Sequence, residues 1–217
     1  MRRFLSLSLI FFFVLSMFSC SKAEVNRNKK GNVAIPNRIT SENILIVYFS
    51  RAGENYAVGH ISVGNTAIMA GFIQNYTGGT LFEIVPKVPY PDSYEEMKAL
   101  SIKESNSNAR PAIKNPLENL DKYSIIFVGS PIWYDGTPMI MRTFYETYRD
   151  KLAGKILVAF GTHEGSGVSA CTDLAKEYFP QAKILETLGI RGNNVKSSRT
   201  DVEMWLQRIG IPKKEQK

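Results

Sequence analysis

Ile44-Leu45-Ile46-Val47-Tyr48-Phe49, closed by Ser50-Arg51-Ala52-Gly53, is the stretch that decides the fold. An apolar run without polar alternation predicts a strand covered on both faces, which places it inside a parallel sheet. The small and polar residues that follow end the strand and open a connection.

Working outward, strand and helix signals alternate. Residues 65–76 carry Ile68, Met69, Phe72 and Ile73 at helical spacing, and Gly78-Gly79 ends that helix before a second strand at 80–85. Pro91-Asp92-Ser93 opens a helix over 94–104, with Asp92 or Ser93 as cap and Glu95 or Glu96 in its first turn. A third strand spans 123–129 around Ile125-Ile126-Phe127-Val128, and Pro138 begins a helix that runs to Tyr148. A fourth strand (155–161), a helix (168–179) stopped by Pro180, a fifth strand (182–188) and a last helix (198–209) complete the chain. Strands alternating with helices in this way predict an α/β domain with a parallel sheet and right-handed crossovers.

The N-terminal region is of another kind. Arg2 and Arg3 precede an almost wholly apolar stretch from Phe4 to Phe18, shorter than the roughly 20 residues a spanning helix needs. It predicts a secretory signal peptide over 1–19. Ser19 then Cys20, with polar sequence at once afterwards, resembles a bacterial lipoprotein signal. That resemblance implies cleavage before Cys20, lipidation of its thiol, and export to the periplasmic or cell-surface side with a lipid anchor in a bacterial membrane. Acyl chains contribute about 0.8 kcal/mol per buried CH₂, so two or more hold a protein on a bilayer. An ordinary signal peptide, or an uncleaved anchor with Cys20 incidental, is the alternative. Residues 20–42 are expected to be a polar tether, and 43–217 a single domain.

Without residues 1–19 the chain has 25 basic and 20 acidic side chains. It has no long basic block and no aromatic-interleaved patch, so a nucleic-acid partner is not expected. With Cys20 lipidated, Cys171 is the one unmodified thiol and reads as a small buried hydrophobe; no internal disulfide is then possible. With His60 and His163 alone and no paired cysteines, no metal site is expected. Gly167-Val168-Ser169-Ala170-Cys171 echoes a nucleophile elbow, but the preceding strand ends too early and no histidine follows Ser169. No side chain is assigned a catalytic role.

In open α/β sheets, ligands bind beyond the carboxyl ends of the strands. Three connections there are rich in small, polar and aromatic residues. They are Ser50 to Gly53, Pro131-Ile132-Trp133-Tyr134-Asp135-Gly136, and Thr162-His163-Glu164-Gly165-Ser166-Gly167. Converging on one rim, they would form a pocket with a phosphate end and an aromatic end.

The run from Tyr48 to Tyr56, then Gly64-Asn65-Thr66, resembles flavodoxins, in particular a flavodoxin-like family with an extended first loop. So do Phe82-Glu83-Ile84-Val85-Pro86, Tyr90-Pro91, Ala109-Arg110-Pro111, Gly129 to Tyr134, Thr162 to Gly167 and Ile190-Arg191-Gly192. The likeness implies a doubly wound five-stranded parallel sheet in the order 2-1-3-4-5, helices on both faces, FMN as cofactor, and electron transfer. It implies that Ser50, Arg51, Asn65 and Thr66 grip the phosphate, where helix-terminal N–H groups suit a dianion. The insert at 54–63 departs from the compact loop of that family. Arg51 is then either a charged phosphate ligand or a solvated loop arginine.

By the same resemblance Trp133 or Tyr134 covers a ring face, and backbone near Pro131, Ile132 and Gly136 bonds the ring's polar edge. Trp133 as a plain core aromatic is the competing reading. Thr162, His163, Gly165 and Gly167 would complete the ring-side wall, with His163 either a donor to the ring or merely a loop histidine. The partner would be a redox protein or a quinone. An FMN-dependent NAD(P)H:quinone-type oxidoreductase and a flavin-free binding module stay open as other readings.

Overall fold

The apolar run becomes β1 (Ile44–Tyr48), buried along its whole length, and Phe49 carries the burial into the first connection. The computed structural model describes residues 39–134 and 136–215. Packing divides the chain after Gly31, and every described residue lies in the unit Asn32–Lys217. The signal peptide, Cys20 and its lipidation, the tether up to residue 38, and Asp135 lie outside the described residues.

Beyond β1 the chain forms a hairpin, β2 (Gly53–Asn55) and β3 (Gly59–Ile61), then α1 (Asn65–Thr77), β4 (Thr80–Glu83) and α2 (Tyr94–Asn106). There follow β5 (Ile125–Pro131), α3 (Met139–Thr147), the single turn α4 (Arg149–Leu152), β6 (Ile156–His163) and α5 (Ser169–Tyr178). The short strands β7 (Lys183–Ile184) and β8 (Leu188–Arg191) and helix α6 (Arg199–Arg208) close the domain. The main sheet runs β4-β1-β5-β6, with β7 and β8 both on the outer side of β6, and all its pairings are parallel. With β7 and β8 taken as one interrupted strand, the order is 2-1-3-4-5.

Alternating side chains of the same strands feed two cores. Ile44, Ile46, Ile125, Phe127, Ile156 and Val158 pack with Met69 and Ile73 of α1 and with Val202, Trp205 and Leu206 of α6. Leu45, Val47, Ile126, Val128 and Leu157 pack with Met97 of α2, Ile140 and Phe144 of α3, and Leu174 of α5. Each such side chain contributes about 1.5–3 kcal/mol on burial. Two-sided burial is the reason the central strands read as unbroken apolar runs.

The expected fifth strand at 182–188 is broken. Ile156 and Leu157 pair with Lys183 and Ile184, whereas Phe160 to His163 pair with Leu188 to Arg191, one residue out of step. Leu185 still donates its N–H to the Leu157 carbonyl of β6 (3.0 Å), but the next two residues have other partners: the Trp205 indole donates to the Glu186 carbonyl (2.9 Å), and the Thr187 and Thr172 hydroxyls share a 2.5 Å bond. The insert at 54–63 folds as the β2–β3 hairpin. β5 and β6 run two residues beyond the expected ends, so Pro131, Thr162 and His163 belong to strands rather than loops.

Candidate functional site

The first connection and the start of α1 meet at Gly64. A Cβ there would collide with Ser50 Oγ and with the Arg51 carbonyl oxygen, so only glycine allows this approach. Ser50 Oγ accepts the Ala67 N–H (3.0 Å), and the Gly64 carbonyl takes the amides of Ala67 (3.0 Å) and Ile68 (3.2 Å). Neither the Asn65 nor the Thr66 N–H has an acceptor among the described residues, and the first turn of α1 holds no acidic side chain. Open donors and the positive end of a helix dipole therefore point into the same space. Below them the buried Thr66 and Thr162 hydroxyls bond each other (2.9 Å), tying α1 to the end of β6.

Trp133 and Tyr134 are neighbours in sequence with opposite fates. Trp133 exchanges two backbone bonds with Gly136 (2.8 and 2.9 Å) and is packed edge-on against Tyr90 (4.9 Å between centroids) and Phe49 (5.3 Å). It belongs mainly to the core and presents its margin to the cleft. Tyr134 sits at φ 50°, a strained value for a non-glycine residue, and the residue is 61 % exposed at the cleft mouth.

In the third connection His163 Nδ1 accepts the N–H groups of Gly165 (2.9 Å) and Gly167 (3.2 Å). With that nitrogen an acceptor, the ring's N–H is at Nε2. Gly165 and Gly167 adopt φ 125° and 74°, which lets the loop curl around the imidazole. Glu164 reaches the cleft and pairs with Arg191 (3.3 Å).

These parts enclose a cleft of about 290 Å³, near the lower end of the roughly 300–1,000 Å³ found for small-molecule sites. Of the residues singled out from sequence, Ser50, Arg51, Asn65, Thr66, Pro131, Ile132, Trp133, Tyr134, Thr162 and His163 line it. Gly136, Gly165 and Gly167 do not; Gly136 lines an adjoining cavity on the far side of Trp133 and Tyr134.

Sequence reasoning missed two walls. Asn55, Tyr56, Val58 and Ile61 come from the hairpin, and Tyr94, Met97, Lys98 and Ser101 from α2. The α2 set has the i, i+3, i+4, i+7 spacing of one helix face, a signal present in the sequence. Glu164, Ser166 and Gly192 complete the lining.

The formal charge of the domain is nearly balanced. Residues 39–217 hold 20 basic and 19 acidic side chains, whereas 20–38 hold five and one, so the basic excess resides ahead of the domain. Beside the cleft, Tyr90 donates to Glu104 (3.1 Å), and burial pushes both the phenol and the carboxyl above their ordinary ranges. Burial likewise pushes the Cys171 thiol up to about 12, which leaves it protonated and unreactive. No group of three or more metal-ligating side chains is gathered among the described residues.

Comparison with known proteins adds the family. The family model described as Flavodoxin matches residues 43–209. Among solved structures, a protein described as a flavoprotein from Bacteroides eggerthii is 30 % identical, over 78 % of this chain and 98 % of that one, with a TM-score of 0.62. One from Bacteroides uniformis is 25 % identical, over 77 % of this chain and 99 % of that one, with a TM-score of 0.59. A flavoprotein from Lactobacillus acidophilus in complex with FMN is alike in fold: 18 % identity, 76 % and 98 % coverage, TM-score 0.55. No protein with a curated description matches this sequence. The strand order, the rim cleft and a match across three-quarters of the sequence agree: the chain belongs to the flavodoxin family.

Proposed function

We propose that this protein binds FMN in the rim cleft and serves in electron transfer. The observation that carries the reading is the start of α1. Two unpartnered N–H groups, Asn65 and Thr66, open into a cleft whose other end is aromatic. A phosphate dianion suits those donors, and a planar apolar ring suits Tyr134 and the margin of Trp133.

When bound, FMN supplies the redox chemistry, and the protein supplies binding, orientation and electrostatics. Asn65, Thr66 and the Ser50 hydroxyl would hold the phosphate. The backbone near Pro131 and Ile132 would bond the ring's polar edge, and His163 Nε2 would offer a donor from the β6 side. Glu164, neutralised in part by Arg191, adds little net charge beside the ring.

Titrating the purified protein with FMN while following flavin fluorescence tests this. Saturable, stoichiometric quenching is expected. Unquenched flavin at micromolar protein would hand the fold to a flavin-free binding role. Slow bleaching of loaded protein on adding NADPH is expected of a carrier; rapid bleaching moves the assignment to an NAD(P)H-dependent oxidoreductase.

The apolar leader and Cys20 further support export and lipid anchoring. The residues leading into β1 lie at the amino ends of the strands, opposite the cleft, so an anchored domain would present its cleft away from the tether's attachment. Cys20→Ser is expected to release the protein from the membrane fraction.

A further inference from the structure

We propose that the β2–β3 hairpin is a wall of the flavin site, and that Arg51 positions this wall instead of binding phosphate. The inference rests on the flavin reading above and gives Arg51 a role other than the phosphate grip that the flavodoxin likeness implies.

Every donor of the Arg51 guanidinium is already engaged. Nε donates to the Pro91 carbonyl (3.0 Å) and Nη2 to those of Pro91 (2.6 Å) and Asp92 (2.5 Å), with Ser93 further off (3.4 Å). Nη1 donates to the Glu54 carbonyl (2.6 Å) and Asn55 Oδ1 (3.4 Å). A guanidinium has five N–H groups in a fixed fork, and this one makes six contacts to five acceptors, the Pro91 carbonyl being shared by Nε and Nη2. None is left for a phosphate, and the nearby Asp92 and Glu54 carboxylates offset its charge.

These bonds fasten the hairpin to the segment leading into α2. The Glu54 N–H donates to the Asp92 carbonyl (3.0 Å), Glu54 Oε2 accepts the Tyr94 N–H (3.2 Å), and the Tyr56 and Tyr94 rings lie 5.9 Å apart. With strands of three residues each, the hairpin has little stability of its own, so its place depends on this docking. Docked, it sets Asn55, Tyr56, Val58 and Ile61 against the cleft. Lysine carries a tetrahedral ammonium on a flexible stem and cannot span the carbonyls of residues 54, 91 and 92 together.

The test measures FMN and riboflavin affinity by fluorescence quenching in wild type, Arg51→Lys, Arg51→Gln and Tyr56→Ala. Amide hydrogen exchange over residues 53–61 is followed in parallel. Both Arg51 variants are expected to weaken FMN and riboflavin by the same factor, about tenfold, equivalent to ~1.4 kcal/mol. Exchange in the hairpin should rise while the strands keep theirs. Tyr56→Ala should weaken both flavins and raise hairpin exchange less than the Arg51 variants do, since it removes one ring contact and keeps the Arg51 bonds.

A loss confined to FMN would make Arg51 a phosphate ligand, and unchanged hairpin exchange would remove its positioning role. Full flavin affinity in Tyr56→Ala would remove the wall. If wild type binds neither flavin, the flavin reading fails and the wall with it; the exchange arm still decides whether Arg51 fastens the hairpin.

Discussion

α1 and α2 both begin at the rim of the cleft, yet their first turns are completed differently. That of α2 carries Glu95 and Glu96, and the Glu54 carboxylate takes the Tyr94 N–H. That of α1 carries no acid and begins at a glycine, and its open amides, those of Asn65 and Thr66, belong to residues that line the cleft. A helix start attracts negative charge whatever its sequence. At α2 the chain provides that charge itself, whereas at α1 it withholds it. The site is the helix start whose first turn the protein leaves without an acid.

Making α1 resemble α2 should have the largest effect. Asn65→Asp places a carboxylate beside the proposed phosphate position. At ~5 Å and an effective dielectric of ~20, each charge pair costs roughly 3 kcal/mol. FMN affinity is expected to fall by about a hundredfold or more, with riboflavin, which lacks the phosphate, nearly unaffected. Thermal stability should hold or rise slightly, because an acid suits the helix dipole. Equal losses for the two flavins would show that the start of α1 is not the phosphate end.

Gly64→Ala tests the packing that keeps α1 open. The added methyl meets Ser50 Oγ and the Arg51 carbonyl, so the backbone must shift, at about 1–3 kcal/mol. The unfolding free energy should fall by that amount, lowering the denaturation midpoint, and FMN binding should weaken with it. An unchanged midpoint would mean that the close approach is not required.

Glu54→Gln, at the completed helix, should do least. Losing a charged cap is worth about 0.5–1 kcal/mol, seen as a small drop in midpoint, and the ratio of FMN to riboflavin affinity should stay put. A changed ratio would join the two helix starts into one electrostatic unit.

The fold was legible where one physical cause dominates. Ile44 to Phe49 and Ile125 to Val128 are apolar throughout because both faces are covered, and the sheet order followed from the family likeness. The broken fifth strand was not legible, since the break arises from Trp205 and Thr172, which lie outside the strand in sequence. The hairpin was equally hidden. Gly53, Glu54 and Asn55 facing Gly59, His60 and Ile61 carry almost no apolar alternation, and docking on residues 91–94 holds them in place.

Within the site, residue types marked the loops but could not assign orientations. Which of Trp133 and Tyr134 faces outward depends on a backbone angle of 50° at Tyr134. Arg51 was legible as a cation near the phosphate end, but not the ring of carbonyls around it. The α2 wall at Tyr94, Met97, Lys98 and Ser101 had its helical spacing on display. Spacing alone marks a helix face but does not say what that face looks onto.

The interruption between β7 and β8 has a consequence for crowded conditions. A long, regular outer strand is a template on which a neighbouring molecule can add its own strand and begin to aggregate. Here one border of the sheet offers two residues, then four, in registers that do not match. At the other border β4 has four residues, and its continuation is capped by residues 112–115. The Lys87 and Lys114 amides bond the carbonyls of Ala112 and Val85 (both 2.7 Å), and the Asn115 amide bonds that of Glu83 (2.8 Å). Neither border presents a run long enough to seed intermolecular pairing, a useful property in a domain without disulfides.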